Sequence, residues 1–391
     1  MDGSKVWRSE ETGLPEPTIS PESLALAAGI DRARAYLKDS ARRVNDVLGA
    51  FWERKRGDWR GFPEIIRGAF DAYDQLTCSG KKIRAGLVVL GHDICLRGSA
   101  PASSLEDGIH RAAGCVEILH NAFLIHDDIV DHSDVRRSMA TVHRKYADDH
   151  RADFSRAEDA LAYGRAVALN FGDKGQALAQ ELLLSSGFRG DALLRAIGLL
   201  SRVTAETVAG QLLDVCEVPL ARLEEERVLQ IHEYKTAHYT VMLPLQMGAI
   251  LAGGDAPVLD ALADYAIPVG IAFQIQDDIL GLYGNEQILG KPVDSDIREG
   301  KKTLLMVHAY RESDRATRAF LEKVHGNPEI ARADLERVRE IVKHSGALSR
   351  SETMARQLVE RGKASIPRIT TDDHWSGILA GLADYLIVRR Y

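Results

Sequence analysis

Three carboxylates fall within five residues of an otherwise apolar stretch, at Asp127, Asp128 and Asp131. If the stretch is helical, Asp127 and Asp131 share one face, with their Cβ atoms about 6 Å apart. Two carboxylates this close repel each other and resist burial unless a cation lies between them. Such oxygen ligands suit Mg²⁺, which binds through one or two carboxylates plus substrate phosphates. A solvated acidic turn is the alternative, but the apolar residues around the motif favour burial.

A second acidic pair, Asp277 and Asp278, lies 150 residues further along the chain, again in an apolar helical pattern. Gln274 precedes the pair by three and four residues, so it is expected on the same helical face. On separate helices of a bundle, the two acidic motifs could face each other across a cavity. Together they predict a polynuclear metal clamp for a polyanion.

Several basic residues are placed where such a clamp would need them. They are Lys81, Arg84, Arg136, Arg137, Lys235, Lys291, Lys301 and Lys302. Taken singly, each is typical of a solvated surface charge. Beside two carboxylate clusters they instead predict diphosphate ligands, because Arg grips phosphate oxygens in bidentate fashion and Lys acts as a mobile point charge.

Composition limits the class of protein. The 391 residues are 45% hydrophobic and 27% charged, as in a globular protein, and the net charge of −7 argues against a nucleic-acid partner. The four cysteines form no CxxC pair, which favours a reducing cytoplasmic location. No apolar run approaches the roughly 18–20 residues that a membrane span needs, so no transmembrane segment is expected.

Apolar residues recur at helical spacing along most of the chain, with no alternating strand pattern, so the predicted fold is all-α, a single large helical bundle around a central cavity. Residues 1–19 are predicted to be a flexible N-terminal extension, and residues 20–391 one all-α domain. A first helix begins near Pro21 and ends before a basic linker over 54–61. Further helices are predicted over 63–77, 81–97, 104–131, 158–171, 173–186, 190–216, 221–234, 236–252, 255–283, 301–311, 315–325, 330–346, 348–364 and 374–390. The charged segment 133–159, part of it expected to be mobile, and residues 284–300 are predicted loops.

From about residue 60 onwards, the chain resembles the trans-isoprenyl diphosphate synthases, or polyprenyl synthetases. Five motifs carry the resemblance, in the family's order. They are Ser79–Arg84, the first aspartate motif with Arg136-Arg137, Gly210–Asp214, Lys235-Thr236, and Gln274–Gly300. The resemblance implies the isoprenoid-synthase fold and a Mg²⁺-dependent prenyltransferase that adds isopentenyl diphosphate to an allylic prenyl diphosphate. It also implies a homodimer.

The resemblance also implies a role for each residue. Asp127 and Asp131 would bind two Mg²⁺ ions and Asp277 a third, with Asp128 and Asp278 in support. The allylic diphosphate would be held by Arg136, Lys235 and Lys291, with Gln274 nearby. Isopentenyl diphosphate would be held by Lys81, Arg84, His120 and Arg137. Lys301 matches a further basic position near the phosphates, and Thr236 and Gln211 would lie along the allylic chain.

Four positions depart from the family's usual residues. Ser79 replaces the first glycine of a doublet, Ala85 a proline, Ser138 a glycine and Gly281 the third aspartate of the second motif. The last change bears on metal affinity, although Asp296 remains downstream.

Product length and two other functions stay open. Ala122 and Phe123 occupy positions that help form the tunnel floor in the family, and one small and one bulky residue favour the C20 product, geranylgeranyl diphosphate, over C15 or C25 and longer. A class I terpene cyclase is one alternative, but it would not need the predicted isopentenyl diphosphate ligands. A regulatory subunit of a hetero-oligomeric synthase is the other, and the intact aspartates argue against it.

Overall fold

The computed structural model describes residues 21–96, 106–216, 218–284 and 295–388. The predicted N-terminal extension, 1–19, lies outside this part of the chain, as does Lys291. The first seven helices are α1 (Pro21–Asp58), α2 (Glu64–Cys78), α3 (Ile83–Leu96), α4 (Glu106–Val130), α5 (Val142–Asp149), α6 (Ala157–Leu184) and α7 (Asp191–Val215). A two-residue hairpin, β1 (Val135–Arg136) and β2 (Met139–Ala140), separates α4 from α5.

The second half of the described chain is also helical. It consists of α8 (Glu225–Ile231), a π-helical stretch (His232–Met242), α9 (Leu243–Leu251), α10 (Ala256–Tyr283), α11 (Ser295–Arg298), α12 (Leu304–Arg311), α13 (Arg315–Val324), α14 (Arg332–His344), α15 (Ala347–Lys363), α16 (Ile366–Ile369) and α17 (Asp373–Ile387). Asp255 and Asp314 accept hydrogen bonds from the first turns of α10 and α13, as good N-cap residues do.

Two long helices form the centre of the bundle. α4 packs against α3 and α6, while α10 packs against the π-helical stretch and α15. The long helix α1 is covered by α17. A continuous apolar core links these helices, and the all-α prediction is confirmed.

Several predictions about local structure were wrong. The predicted break at residue 235 is absent, since α8, the π-helical stretch and α9 follow one another without interruption, and residues 295–298 of the predicted 284–300 loop form α11. α1 runs through most of the predicted 54–61 linker, because Lys55 is buried and pairs with Glu181 of α6. The two predicted helices 158–171 and 173–186 are one continuous helix, α6. The segment 133–159 holds the hairpin and α5, whose buried side packs on α6.

α10 is the one described helix whose length and composition would allow it to cross a membrane. In the structure 61% of its most apolar window is buried. It also carries Asp277 and Asp278 near its C-terminal end, so its apolar character fits a core helix that positions polar residues.

Candidate active site

The first aspartate motif spans the end of α4. Asp127 and Asp128 lie in its last turn, and Asp131 follows the helix, with its backbone N–H donating to the carbonyl of Asp127 at 2.8 Å. Near its C-terminal end, α10 carries Asp277 and Asp278. Lys301, in the loop before α12, lies 3.6 Å from Asp131 and 3.2 Å from Asp296 of α11. The structure therefore brings residues around both predicted acidic motifs together.

The predicted allylic-diphosphate residues lie beside the first motif. Lys235 Nζ is 2.6 Å from Asp214 Oδ2 and 3.4 Å from Asp127 Oδ1. The Nε atom of Arg136 donates to Asp128 Oδ1 at 2.6 Å. Two predicted cationic ligands are thus held by carboxylates of the predicted metal site.

Gly210 allows this arrangement. A Cβ atom at Gly210 would lie 2.7 Å from the Cα atom of Lys235, a distance that real Cβ atoms do not show. Only glycine therefore lets α7 pack this closely on the π-helical stretch. The close approach brings Asp214, one turn further along α7, to the ammonium of Lys235.

A chain of hydrogen bonds surrounds the second motif. Gln274 donates to Asp278 Oδ1 at 2.8 Å, and Thr236 donates to Gln274 Oε1 at 2.9 Å. His232 Nε2 lies 3.0 Å from Asp278 Oδ2, and both side chains are buried. Asp277, the preceding residue on α10, is half-buried. The network orients Asp278 and joins it to Thr236.

The predicted isopentenyl diphosphate residues form a second basic group. Arg84 donates to the hydroxyls of Tyr239 and Thr240, each at 2.9 Å, and its guanidinium lies 4.7 Å from the Tyr239 ring centroid. The Tyr239 hydroxyl is 3.5 Å from Nδ1 of the buried His120. Burial, followed by Arg84 and Arg137, lowers the pKa of His120 well below its ordinary value, so His120 is neutral near pH 7.

Arg137 ties two segments of this group together. Its Nη1 donates to the carbonyl of Leu76 and to Ser79 Oγ, both at 2.7 Å. The two lysines that follow Ser79 and Gly80 differ in exposure. Lys82 is buried, whereas Lys81 is exposed and its Nζ lies 6.0 Å from the Tyr385 ring centroid. The structure thus places Lys81 at the rim of the basic group.

The hairpin that carries the two arginines is conformationally strained. Arg136 pairs with Met139, so Arg137 and Ser138 form a two-residue turn with φ angles of 52° and 62°. Positive φ at both positions is typical of a type I′ turn and disfavours residues with a Cβ atom. Ser138 therefore stands at a position where glycine would be easier.

The two predicted chain-length residues lie in different surroundings. Phe123 is half-buried and meets the Tyr239 ring edge-on, with 5.5 Å between centroids. Ala122 is fully buried, and a Cβ atom on Gly175 of α6 would lie 2.9 Å from its own Cβ. Phe123 therefore faces the basic group, whereas Ala122 is packed into the α4–α6 interface.

Electrostatics distinguish the three aspartates of the first motif. Burial and the nearby Asp127 raise the pKa of Asp131 to about 7. Burial also raises the pKa of Asp128 to about 6, although Arg136 opposes the change. Burial alone would raise the pKa of Asp127, but Lys235 and Lys301 outweigh it and lower that pKa.

These residues fit Mg²⁺ that shares its coordination shell with a ligand. Among the described residues, no three His, Cys, Asp or Glu side chains form a preformed metal cage. The raised pKa of Asp131 beside Asp127 marks an anionic pair that a cation would stabilise in its ionised form. Mg²⁺ characteristically takes few protein carboxylates and keeps waters and phosphate oxygens.

Several residues at the site were not assigned a role from the sequence. Four of them contact residues to which the sequence did assign a role: Tyr239, His232, Asp214 and Glu299. Of these, Asp214 closes the motif Gly210–Asp214, so its position in that motif was an available signal. The others come from elements whose contacts no local spacing reveals.

Known proteins resemble this chain over most of its length. Residues 68–342 match the family model described as polyprenyl synthetase. The chain belongs to the polyprenyl synthetase family. The resemblance inferred from the motifs is therefore confirmed, as is the prediction of a prenyltransferase enzyme.

Individual polyprenyl synthetases show the extent of the similarity. A geranylgeranyl diphosphate synthase of Saccharolobus solfataricus is 33% identical over 70% of this chain and 76% of its own length. A geranylfarnesyl diphosphate synthase of Aeropyrum pernix is 32% identical over 84% of this chain and 95% of its own. The crystal structure of a geranylgeranyl pyrophosphate synthase from Corynebacterium glutamicum, complexed with isoprenyl diphosphate and magnesium, has a TM-score of 0.84 at 31% identity, covering 90% of this chain and 99% of that one.

Proposed function

We propose that this polyprenyl synthetase condenses isopentenyl diphosphate with an allylic prenyl diphosphate, head to tail, and releases mainly geranylgeranyl diphosphate. One observation carries the proposal: two separate basic groups flank the aspartate motifs. Lys235 and Arg136 contact the first motif, while Arg84 and His120 form the second group with Tyr239. Two diphosphate sites are what a condensation of two diphosphates needs, whereas a cyclase needs one.

The first basic group would serve the departing diphosphate. Breaking the allylic C–O bond leaves about three negative charges on the departing diphosphate, and preorganised cations stabilise that charge as it develops. Lys235 and Arg136 are already oriented by Asp214 and Asp128. Asp127, Asp131 and Asp277 would hold three Mg²⁺ ions, which when bound add Lewis-acid stabilisation of the same charge.

The second basic group would hold isopentenyl diphosphate. Arg84 supplies a guanidinium that is fixed by two hydroxyls, and a neutral His120 can donate one hydrogen bond without adding a charge. Lys81, at the rim, and Arg137, bound to the Ser79 turn, complete the set. This group holds the double bond of isopentenyl diphosphate beside the allylic carbon.

Polar oxygens near the allylic carbon would stabilise the cation and keep its geometry. The Thr236–Gln274 pair lies between the two motifs, and the amide oxygen of Gln211 on α7 would face the same cation. The cation must meet the isopentenyl double bond before water does, so the site must be dry. The final proton is lost to the released diphosphate, and no side-chain base is required.

The experiment is an incubation of the purified protein with Mg²⁺, isopentenyl diphosphate and, in turn, dimethylallyl, geranyl or farnesyl diphosphate. The prenyl alcohols obtained with phosphatase are then sized by mass spectrometry. A ladder ending at C20 is the expected result. Hydrocarbon formed without consumption of isopentenyl diphosphate would favour a cyclase instead, and a shorter or longer ladder would replace the C20 assignment.

We further propose that the enzyme is a homodimer that uses α7. Four exposed apolar residues of α7 share one helical face, at spacings of 14, 4 and 3 residues. They are Leu194, Val208, Leu212 and Val215. A surface stripe of this kind is typical of helix–helix association, and a second copy of the chain would cover it. Sedimentation of the wild type and of Leu212→Glu tests this: the variant should be monomeric.

A further inference from the structure

The two aspartate motifs of this chain differ at one position. The first reads Asp127-Asp128-Ile-Val-Asp131, whereas the second reads Asp277-Asp278-Ile-Leu-Gly281. The third carboxylate of the first motif thus has no counterpart at the same place in the second. Since both motifs lie at the C-terminal ends of long core helices, the difference raises the question of what fills this space.

Asp296 fills it. Gly281 is buried in the last turns of α10, and a Cβ atom there would lie 3.0 Å from Asp296 Cγ and closer still to Oδ2. No side chain could therefore stand at 281 while Asp296 keeps its position. Asp296 belongs to the short helix α11 and is only 6% exposed.

A buried carboxylate is costly without a partner, and Asp296 has one. Its Oδ1 lies 3.2 Å from Lys301 Nζ, and its backbone carbonyl accepts the backbone N–H of Lys301 at 2.9 Å. The side chain and the backbone of Asp296 therefore both hold Lys301. Ser295 adds a long hydrogen bond to the same Oδ1 atom, at 3.4 Å.

Lys301 in turn reaches the first motif. Its Nζ lies 3.6 Å from Asp131 Oδ2 and 2.9 Å from Glu299 Oε2. One ammonium thus joins Asp131, the third carboxylate of the first motif, to Asp296, which occupies the corresponding space of the second. A carboxylate therefore lies beside position 281, but it is supplied by α11 instead of α10.

We propose that Asp296 is a positioning residue that replaces the absent third aspartate of the second motif, holding Lys301 between the two metal-binding motifs. The proposal rests on the proposed function, because it assumes that Mg²⁺ and a diphosphate bind between α4 and α10. The competing explanation is that Asp296 merely fills space beside Gly281. The proposal requires a carboxylate at this position, whereas the competing explanation requires only a side chain of similar volume.

Four variants separate charge from volume. Asp296→Asn keeps the shape and removes the charge, and Asp296→Ala removes both. The double variant Gly281→Asp with Asp296→Ala returns a carboxylate from the other helix. Its matched control, Gly281→Ala with Asp296→Ala, returns volume at the same place without a carboxylate.

The first readout needs no turnover. It is the rise in melting temperature produced by titrating Mg²⁺ in the presence of inorganic diphosphate. We expect Asp296→Asn and Asp296→Ala to need about tenfold more Mg²⁺ than the wild type for half of this rise. The double variant with Gly281→Asp should recover most of the loss, while the control with Gly281→Ala should not.

The second readout is the dependence of kcat and KM on Mg²⁺ concentration. Here too, the double variant with Gly281→Asp should recover most of the loss and the control with Gly281→Ala should not. Equal Mg²⁺ requirements in the two double variants, or a wild-type requirement in Asp296→Asn, would overturn the proposal. If the double variants do not fold, Asp296→Asn decides alone. A wild type that responds to Mg²⁺ and diphosphate in the melting assay but makes no prenyl product would contradict the proposed function and leave this test intact.

Discussion

Lys235 of the π-helical stretch is held by Asp214 of α7 at 2.6 Å, across a packing contact that only Gly210 permits. Burial alone would lower the pKa of Lys235, but Asp127 and Asp214 outweigh it and raise that pKa above its ordinary value. The ammonium is therefore charged and fixed before any diphosphate arrives. Such preorganisation is what makes a cation effective in stabilising a leaving group.

Removal of the Asp214 carboxylate should reduce the catalytic efficiency with the allylic substrate. We expect Asp214→Asn to lower kcat/KM for the allylic diphosphate about tenfold or more, because Lys235 loses its orientation, and to leave the KM for isopentenyl diphosphate nearly unchanged. Steady-state kinetics with each substrate varied in turn measures both values. Asp191→Asn on the same helix is the matched control, since Asp191 is exposed and lies 3.9 Å from Arg195. Equal losses for both substrates would argue against a specific role.

The raised pKa of Asp131, about 7, predicts a pH-dependent stability. An aspartate has a pKa of about 3.9 in the unfolded chain, so the folded protein binds this proton more tightly. The stability contributed by the protonated form is therefore complete below about pH 4 and is lost as the pH rises through 7. Mg²⁺ needs the ionised form, so its stabilising effect should grow over the same range.

Melting temperatures measured between about pH 5.5 and about pH 8, with chelator or with Mg²⁺ and diphosphate, test this linkage. The metal-free protein should lose stability across the range, and Asp131→Asn should lose less because position 131 no longer titrates. The Mg²⁺-induced increase should be larger at the alkaline end of the range than at the acidic end in the wild type. Identical pH slopes for the wild type and Asp131→Asn would contradict the prediction.

The strained hairpin turn offers a stabilising substitution. Ser138 has a φ of 62°, and a residue with a Cβ atom in this region costs about 1–2 kcal/mol. We expect Ser138→Gly to raise the free energy of unfolding by up to about 1 kcal/mol, since glycine's greater unfolded-state entropy offsets part of the gain. Ser138→Ala keeps the Cβ atom and serves as the control, so it should give no gain. Chemical denaturation at fixed Mg²⁺ measures both variants.

Product length should respond to Phe123 more cleanly than to Ala122. Because Phe123 is half-buried and meets Tyr239 edge-on, Phe123→Ala should open space below Asp127 and shift products beyond C20. Ala122 is packed against α6, so Ala122→Leu should lower stability without a clean change in product length. Mass spectrometry of the alcohols, with melting curves alongside, distinguishes the two outcomes. Unchanged products from Phe123→Ala would refute its role as a floor residue.

Local spacing made much of the molecule predictable. Apolar residues at helical intervals marked most of the long helices, and the pairs Asp127–Asp131 and Gln274–Asp278 were expected on common faces because the α-helical repeat alone sets such neighbours. The hydrogen bond from Gln274 to Asp278 agrees with this expectation. The family, too, was recognisable from motifs whose order is a property of the sequence.

Local pattern was a poor guide where a helix depends on its neighbours. α5 lies in a charged segment with weak apolar periodicity, and it exists because its buried side, with His143 and Ala147, packs on α6. The break predicted inside α6 is absent because the helix is stabilised along its length by α4 and α5. In each case tertiary packing outweighed local preference.

Residue types and their local spacing were enough to predict the helical class, the positions of both aspartate motifs and the types of residue available to bind diphosphate. Contacts between distant residues became known only from the folded chain: Asp214 with Lys235, His232 with Asp278, and Asp296 with the space beside Gly281. The difference lies in the distance along the chain over which each kind of contact is determined. Helical periodicity specifies neighbours three or four residues apart, whereas contacts between distant elements depend on how closely helices pack, and that depends on the volume of every side chain between them.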